Sequence, residues 1–177
     1  MGCGGLTILI VIIVIVAAIA TSGSSGGAHK VGTSSSTGST TTTLLPDFKV
    51  GDVIAINGVD VTVNSVKLNY VDPGDSFDTP APGNEYILVN VTIHNTGSDS
   101  INYSAGDFKI QDSQGGQTTS NAMVSTNQDL SDFASLATSG TATGNMAFDV
   151  LTANASKLKL VYAPDFWDNQ TATIDLN

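Results

Sequence analysis

A strict alternation of apolar and polar residues between residues 83 and 95 constrains this chain more than any other stretch. Four aliphatic residues alternate there with less apolar ones: Ile87, Val89, Val91 and Ile93 against Leu88, Asn90, Thr92 and His94. Successive side chains of a β-strand point to opposite faces, so the pattern predicts a strand with one dry face and one mostly wet face. Its length and period are typical of a central strand in an antiparallel sandwich, where other strands complete the core.

The chain between residues 53 and 70 predicts a hairpin and an irregular strand. Asn57-Gly58 joins two apolar runs, and both central residues of a type I′ turn need positive φ. After Val63 the apolar phase shifts by one residue, which predicts a β-bulge at Asn64-Ser65. The bulge is expected to keep the later apolar residues of the strand facing the core: Val66, Leu68 and Tyr70.

Short apolar runs continue to the end of the chain, with turn signals between them. Leu130, Phe133 and Leu136 instead follow three-residue steps, which indicate a short helical turn that caps one end of the sandwich. The whole pattern predicts an all-β fold, an immunoglobulin-like antiparallel β-sandwich of seven to eight strands over residues 47–177.

Two different segments precede this domain. Residues 1–22 contain an uninterrupted apolar run from Leu6 to Ala20, which predicts an N-terminal hydrophobic helix that is a transmembrane anchor or a signal segment. Cleavage near Ala20 is the alternative to a retained anchor, because Ala18-Ile19-Ala20 has the small-x-small form. Residues 23–46 are rich in Ser, Thr and Gly and predict a disordered, flexible linker.

Charge narrows the range of partners. Six basic residues against sixteen acidic ones give a formal net charge of −10. Such a surface repels phosphate backbones, so we expect no binding to nucleic acid. An acidic, Thr-rich domain after an apolar segment instead suits a solvated position outside the cytoplasm.

Several motifs together resemble a known prokaryotic family, the domain-of-unknown-function family 4352. They are, in order, residues 48–52 (FKVGD), 61–66 (VTVNSV), 74–77 (GDSF), 83–86 (GNEY), 107–109 (DFK) and 160–162 (LVY). The resemblance covers about residues 48–176 and the arrangement of anchor and linker before them. It implies a secreted or membrane-tethered protein with an immunoglobulin-like sandwich, akin to a mycobacterial secreted immunoprotective antigen. The family has no established catalytic residues, so it implies none here.

Chemistry-bearing residues are few, so we expect no enzyme activity. The histidines are His29 in the linker and His94 on the wet face of the central strand, and the cysteine is Cys3. No spacing of His, Cys, Asp or Glu suits zinc, and no Gly-rich phosphate loop is present.

Two loops carry candidate sites. Asp72, Asp75 and Asp78 lie three residues apart, with Glu85 beyond them, and clustered carboxylates are the ligands that Ca²⁺ prefers. The alternative is that they are solvated turn residues, because Asp before Pro or Gly is common in turns. Calcium is the cofactor that the sequence suggests, and otherwise we expect none. In a later loop Phe166 and Trp167 are adjacent aromatic residues, which predict a contact loop unless both pack over the open end of the sandwich.

These observations together predict a membrane-tethered, extracytoplasmic interaction or ligand-binding module that is not an enzyme. Residues 5–22 would contact the membrane, and the other partner would be an extracellular protein or a cell-envelope ligand. Two alternatives are a pilin-like subunit of a surface filament and a protein secreted after cleavage near Ala20. The flexible linker argues against the filament, because filament helices usually continue into their head domains.

Overall fold

A computed structural model describes residues 27–31, 48–72, 79–164 and 170–177. These ranges form twelve strands: β1 (His29–Lys30), β2 (Phe48–Lys49), β3 (Val53–Ile56), β4 (Val59–Tyr70), β5 (Asn84–Asn95), β6 (Ile101–Tyr103), β7 (Phe108–Gln111), β8 (Gln117–Thr119), β9 (Ala134–Leu136), β10 (Thr141–Leu151), β11 (Lys159–Tyr162) and β12 (Ala172–Asp175). Short 3₁₀ turns lie at Ala105–Asp107 and Thr152–Asn154.

The strands form two five-stranded sheets and one small ribbon. The first sheet has the order β1-β3-β4-β5-β10, the second has the order β2-β12-β11-β7-β8, and β6 pairs with β9. All pairings are antiparallel except that of β2 with β12. One buried core contains residues of both sheets, such as Ile93 of β5 and Leu160 of β11. The predicted β-sandwich is therefore confirmed, with more strands than the expected seven to eight because several have only two or three residues.

β5 is the central strand that the alternation predicts. It lies between β4 and β10 and pairs with both along most of its length. Its aliphatic side chains on the core side have no exposed surface: Ile87, Val89, Val91 and Ile93. Burying such side chains stabilises a fold by about 1.5–3 kcal/mol each, so this face is a main source of stability.

The hairpin and the bulge of β4 are both present. Asn57 and Gly58 have φ values of 50° and 76°, as a type I′ turn requires, and the pairing of β4 with β5 shifts between Val63 and Ser65. A second shift follows between Lys67 and Tyr70. The sequence did not indicate this second irregularity.

The second shift makes part of the prediction for β4 wrong. Asn69 has a φ of 50°, and this left-handed residue changes the direction of the side chains around it. Leu68 is consequently 44% exposed instead of facing the core. Tyr70 is buried, but it belongs to a separate small cluster with Tyr86 on the opposite side of the sheet.

The predicted helical turn at residues 130–136 is also wrong. Leu130 follows a single bridge between Asp129 and Asn145, Leu136 lies in β9, and Phe133 is 78% exposed. The spacing of Leu130 and Leu136 arises because both reach the core from extended chain. The three-residue spacing in this segment therefore reflects packing of extended chain against the core, not a helical turn.

Most of the N-terminal predictions lie outside the described residues. This applies to the hydrophobic helix within residues 1–22 and to all of the linker 23–46 except residues 27–31, which contain β1. The described ranges contain no helix with the length and apolarity that a membrane span requires. The domain boundaries stay predictions.

Candidate functional site

The face of the first sheet that points away from the core is the candidate binding surface, and we call it the outer face. Three of its cross-strand rows run from β4 through β5 to β10: Thr62, Thr92 and Thr143; Ser65, Asn90 and Asn145; Lys67, Leu88 and Ala147. These residues alternate along each strand with the buried core residues, so the register that builds the core also builds the outer face.

Five polar side chains of the outer face bond to one another, and we call them the amide ladder: Asn64, Asn90, Thr92, Thr143 and Asn145. The Asn90 amide nitrogen donates to Asn145 Oδ1 at 2.7 Å, and the Asn64 amide nitrogen donates to Asn90 Oδ1 at 2.7 Å. Asn64 also donates to Thr92 Oγ1 at 2.9 Å, and the Thr92 and Thr143 hydroxyls lie 2.9 Å apart. The network therefore crosses all three strands.

The β-bulge explains how Asn64 joins this network. Ordinary alternation after Val63 would give each residue of β4 one partner on β5, but the extra residue leaves Asn64 outside the regular register. Its side chain can therefore reach two residues of β5, Asn90 and Thr92. The bulge that the sequence predicts thus also shapes the outer face.

A groove of about 320 Å³ lies beside the amide ladder. Its lining residues come from three sheet strands and from two neighbouring loops: Lys67, Tyr70, Val71, Leu88, Thr126, Asn127 and Asn145. Sites for small ligands are typically concavities of about 300–1,000 Å³ that combine apolar surface with a few placed polar groups. This groove is at the lower end of that size range, and its lining is more polar than that of a typical small-molecule site.

A small buried cluster supports one side of the groove. Tyr70, Tyr86, Val124 and Ala147 pack together there, with Leu88 partly buried against them. The Lys67 ammonium lies 5.3 Å from the centroid of the Tyr70 ring, which is within range of a cation–π contact. Burial, followed by the charge of Asp72, raises the pKa of Tyr70, so its hydroxyl stays protonated at neutral pH.

The predicted calcium ligands are only partly described. Glu85 is buried, and its Oε2 accepts a hydrogen bond of 3.0 Å from the backbone N–H of Asn69, so this carboxylate supports the left-handed turn in β4. Asp72 is described, but Asp75 and Asp78 lie outside the described residues. Within those residues no group of three or more His, Cys, Asp or Glu side chains is arranged to hold a metal ion. The calcium site stays a prediction.

The other predicted site residues also lie apart from the groove or outside the description. Phe166 and Trp167 belong to residues 165–169, which the structure does not describe. His94 is partly buried on the outer face, where it pairs across the sheet with Asp60 and Thr141. That this chain is not an enzyme stays a prediction.

Sequence reasoning missed the amide ladder and the groove. Each Asn or Thr on a wet strand face is ordinary by itself, and the network exists only because of the register between distant strands. The signal that could have indicated it is the bulge, because an extra Asn at a bulge next to a wet face has a displaced side chain.

Comparison with known proteins identifies the family of this chain. A family model described as domain of unknown function (DUF4352) matches residues 48–173. The chain belongs to this family. The resemblance stated from the sequence motifs is therefore confirmed. No curated protein matches the DUF4352 chain.

Two solved structures have the same fold as the DUF4352 domain. The yjhA protein from Bacillus subtilis is 20% identical with a TM-score of 0.56, and the alignment covers 73% of this chain and 99% of that one. The ycdA protein from Bacillus subtilis, described as a "putative lipoprotein", is 18% identical with a TM-score of 0.55. That alignment covers 73% of this chain and 38% of the other. At these identities the likeness shows the fold alone.

Proposed function

We propose that this protein is an extracytoplasmic, non-enzymatic binding module that residues 5–22 hold at a membrane. Its binding surface is the outer face of the first sheet, at the groove beside the amide ladder. The observation that carries the proposal is the network itself, in which five polar side chains from three strands bond to one another beside a concave surface.

A network of this kind prepares a surface for binding. Polar side chains on an ordinary solvated strand face move among rotamers, and ordering each of them on binding costs about 0.5–1.5 kcal/mol. Here the orientations of Asn90 and Asn145 are already fixed by their mutual hydrogen bond. Part of the ordering cost is therefore met on folding, which favours a ligand that hydrogen-bonds to amides and hydroxyls.

The location rests on three observations. The run from Leu6 to Ala20 is apolar and uncharged, the net charge of −10 suits a solvated surface, and one protein of the same fold is described as a "putative lipoprotein". A form secreted after cleavage near Ala20 would keep the same binding surface. The non-enzymatic part of the proposal rests on the sequence, which has two histidines and one cysteine.

Site-specific crosslinking in intact cells tests the binding surface. A photo-crosslinking amino acid at Val71, which is 76% exposed and lines the groove, should form an adduct with the partner. The matched control places the same amino acid at Lys109, an exposed position of β7 on the second sheet. Adduct formation from Val71 but not from Lys109 supports the proposal, and equal labelling or none at all contradicts it.

A second variant separates specific binding from nonspecific crosslinking. Leu88→Arg adds a long, charged side chain in the groove. We expect it to abolish the Val71 adduct while the melting temperature of the domain changes by only a few degrees. An adduct of undiminished yield in a folded Leu88→Arg protein would show that the partner does not use the groove.

Protease treatment of intact cells tests the location. Added protease should release a soluble domain by cutting the linker between Thr21 and Pro46, and the intact mass of the mature protein should include residues 5–22. A mature chain that begins at Thr21 would contradict the anchor and favour secretion.

A further inference from the structure

Residues 27–31 belong to the segment that composition predicts to be linker, yet they form the edge of the first sheet. In β1, His29 pairs with Ala55 and Lys30 pairs with Ile54. The Val31 N–H donates to the Val53 carbonyl at 2.9 Å. A short piece of a Ser-, Thr- and Gly-rich segment therefore covers the edge of β3, which would otherwise present unpaired backbone groups.

Two side-chain contacts accompany this pairing. Lys30 Nζ lies 2.6 Å from Asp52 Oδ1, and Ala28 packs against the core. The hydrogen bond from Lys30, followed by that from the Lys49 backbone N–H, lowers the pKa of Asp52. Because the Lys30 side chain is 49% exposed, this ion pair contributes only modestly.

The connection from β1 to β2 is longer than a strand connection needs to be. Residues 31–47 lie between them, and seventeen residues can extend to about 55 Å, whereas common connections have about 2–6 residues. Only residues 50–52 then separate β2 from β3. A connection of this length does not oblige β1 to stay paired with β3 when β2 pairs with β12.

We propose that residues 27–31 are a reversible clip that sets the distance between the domain and the membrane. This proposal rests on the anchor at residues 5–22 in the proposed function. With the clip bound to β3, residues 23–26 alone separate the anchor from the folded domain. With the clip released, the tether is residues 23–47.

The difference in reach between the two states is large. A flexible chain spans on average about 5–6 Å times the square root of its residue number. For the flexible linker that the composition predicts, the four residues left by the bound clip would span about 11 Å, and the twenty-five left by the released clip would span about 28 Å.

Hydrogen exchange on the full chain in lipid nanodiscs tests whether the clip binds as proposed. Antiparallel pairs alternate in their hydrogen bonding, so the bond from Val31 to Val53 implies that the Ala55 amide also faces β1, while the Ile54 amide faces β4. Lys30→Glu replaces the modest attraction between Lys30 and Asp52 with repulsion between like charges and should accelerate exchange of Ala55 roughly two- to fivefold. Exchange of Ile54 should be unchanged, which shows that the domain remains folded.

Charge reversal supplies the rescue. The double variant Lys30→Glu with Asp52→Lys restores opposite charges and should return the exchange of Ala55 toward its original rate. Acceleration that the double variant does not reverse would overturn the ion pair as part of the clip. An Ala55 amide that already exchanges as fast as an unpaired one in the unmodified protein would overturn the clip itself.

Energy transfer from a dye on the domain to acceptor dyes in the nanodisc lipids tests the change in distance. Lys30→Glu should lower the transfer efficiency, and the double variant should restore it. Faster exchange of Ala55 with unchanged transfer would overturn the control of distance. A mature chain that begins at Thr21 would instead contradict the anchor of the proposed function, and the exchange experiment would still report on the clip.

Discussion

The two faces of β5 belong to one strand, but they are ordered by different forces. On the core side, Val89 and Val91 have no exposed surface. On the outer side, Asn90 and Thr92 form hydrogen bonds to side chains of β4 and β10. Hydrophobic burial is proportional to area and has no direction, whereas hydrogen bonds are directional and contribute about 0.5–1.5 kcal/mol each.

This difference separates stability from recognition. Between residues 87 and 93 the core face contributes more to the free energy of folding than the outer face, because several aliphatic side chains are removed from water together. The outer face contributes less to folding, but it fixes where amide and hydroxyl groups point. Substitutions on the two faces should therefore differ in what they change, and the following predictions run from the largest expected effect to the smallest.

The largest contrast is between Val89→Asp and Thr92→Asp. Val89→Asp buries a carboxylate without a partner in the core, and we expect it to unfold the domain at 25 °C. Thr92→Asp should cost less than about 1 kcal/mol, because the new carboxylate can still accept from the Asn64 amide and the Thr143 hydroxyl. Urea denaturation followed by circular dichroism measures both variants. Equal tolerance of the two changes would show that the assigned faces of β5 are wrong.

A second prediction concerns the core side of β10, where Gly144 lies opposite Val91 of β5. A Cβ at Gly144 would lie 2.5 Å from both the Cα and the N of Leu130. Gly144→Ala should therefore push the Leu130 segment outward and cost about 1–3 kcal/mol, the usual range for overpacking.

The matched control for this substitution is Gly27→Ala. A Cβ at Gly27 meets no atom within 4 Å, so we expect that change to have little effect on the melting temperature. Hydrogen exchange of the Leu130 amide, which donates to the Asn145 carbonyl at 2.9 Å, should increase in Gly144→Ala alone. An unchanged Leu130 amide would contradict the close approach of these two segments.

The sequence could predict the core face because its signals are local. Alternation along residues 87–93 requires no knowledge of other strands, and Asn57-Gly58 identifies its turn through the φ values that a type I′ turn needs. The bulge at Asn64-Ser65 was readable for the same reason, since the shift in apolar phase lies within one strand. All three are present in the structure.

The features that could not be predicted depend on contacts between distant residues. Asn64 and Asn145 join the same ladder through Asn90, and no pattern within one strand shows that register. Leu130 reaches the core because Gly144 has no side chain there. The three-residue spacing of Leu130 and Phe133 resembled a helical pattern only by coincidence. β1 was missed because its composition is that of a linker and its pairing is supplied by β3.

The third prediction tests whether the amide ladder acts as a unit. Asn90→Ala removes its centre and should cost about 1 kcal/mol, because Asn64 and Asn145 lose a partner but can bond to water instead. Asn145→Ala should cost less. Since Asn90 donates directly to Asn145, the double variant should be less destabilised than the sum of the two single variants. Strict additivity in urea denaturation would show that the two amides do not depend on each other.

The smallest expected effect concerns two carboxylates outside β5, Asp107 and Asp112. Burial dominates the environment of the first carboxylate, and hydrogen bonding dominates that of the second. Burial raises the pKa of Asp107, despite the hydrogen bond that its carboxylate accepts from the Ser104 N–H. The hydrogen bond from the Asn154 amide leads the causes that lower the pKa of Asp112, together with bonds from the Gly116 and Gln114 N–H groups.

These opposite shifts give opposite dependences on pH. A raised pKa means that the folded state holds the proton more tightly, so the contribution of Asp107 to stability is present in acid and is lost as pH rises through the raised pKa. A lowered pKa means that the contribution of Asp112 is present above the ordinary carboxyl pKa and is lost as pH falls through the lowered value.

Asp107→Asn should therefore gain stability relative to the original protein as pH rises, since an amide oxygen still accepts from the Ser104 N–H. Asp112→Asn should lose stability relative to it over the same change. Urea denaturation between pH 3 and pH 7 measures the free energy of unfolding of each variant relative to the original protein. If this difference changes with pH in the same direction for both variants, the opposite pKa shifts assigned to Asp107 and Asp112 are wrong.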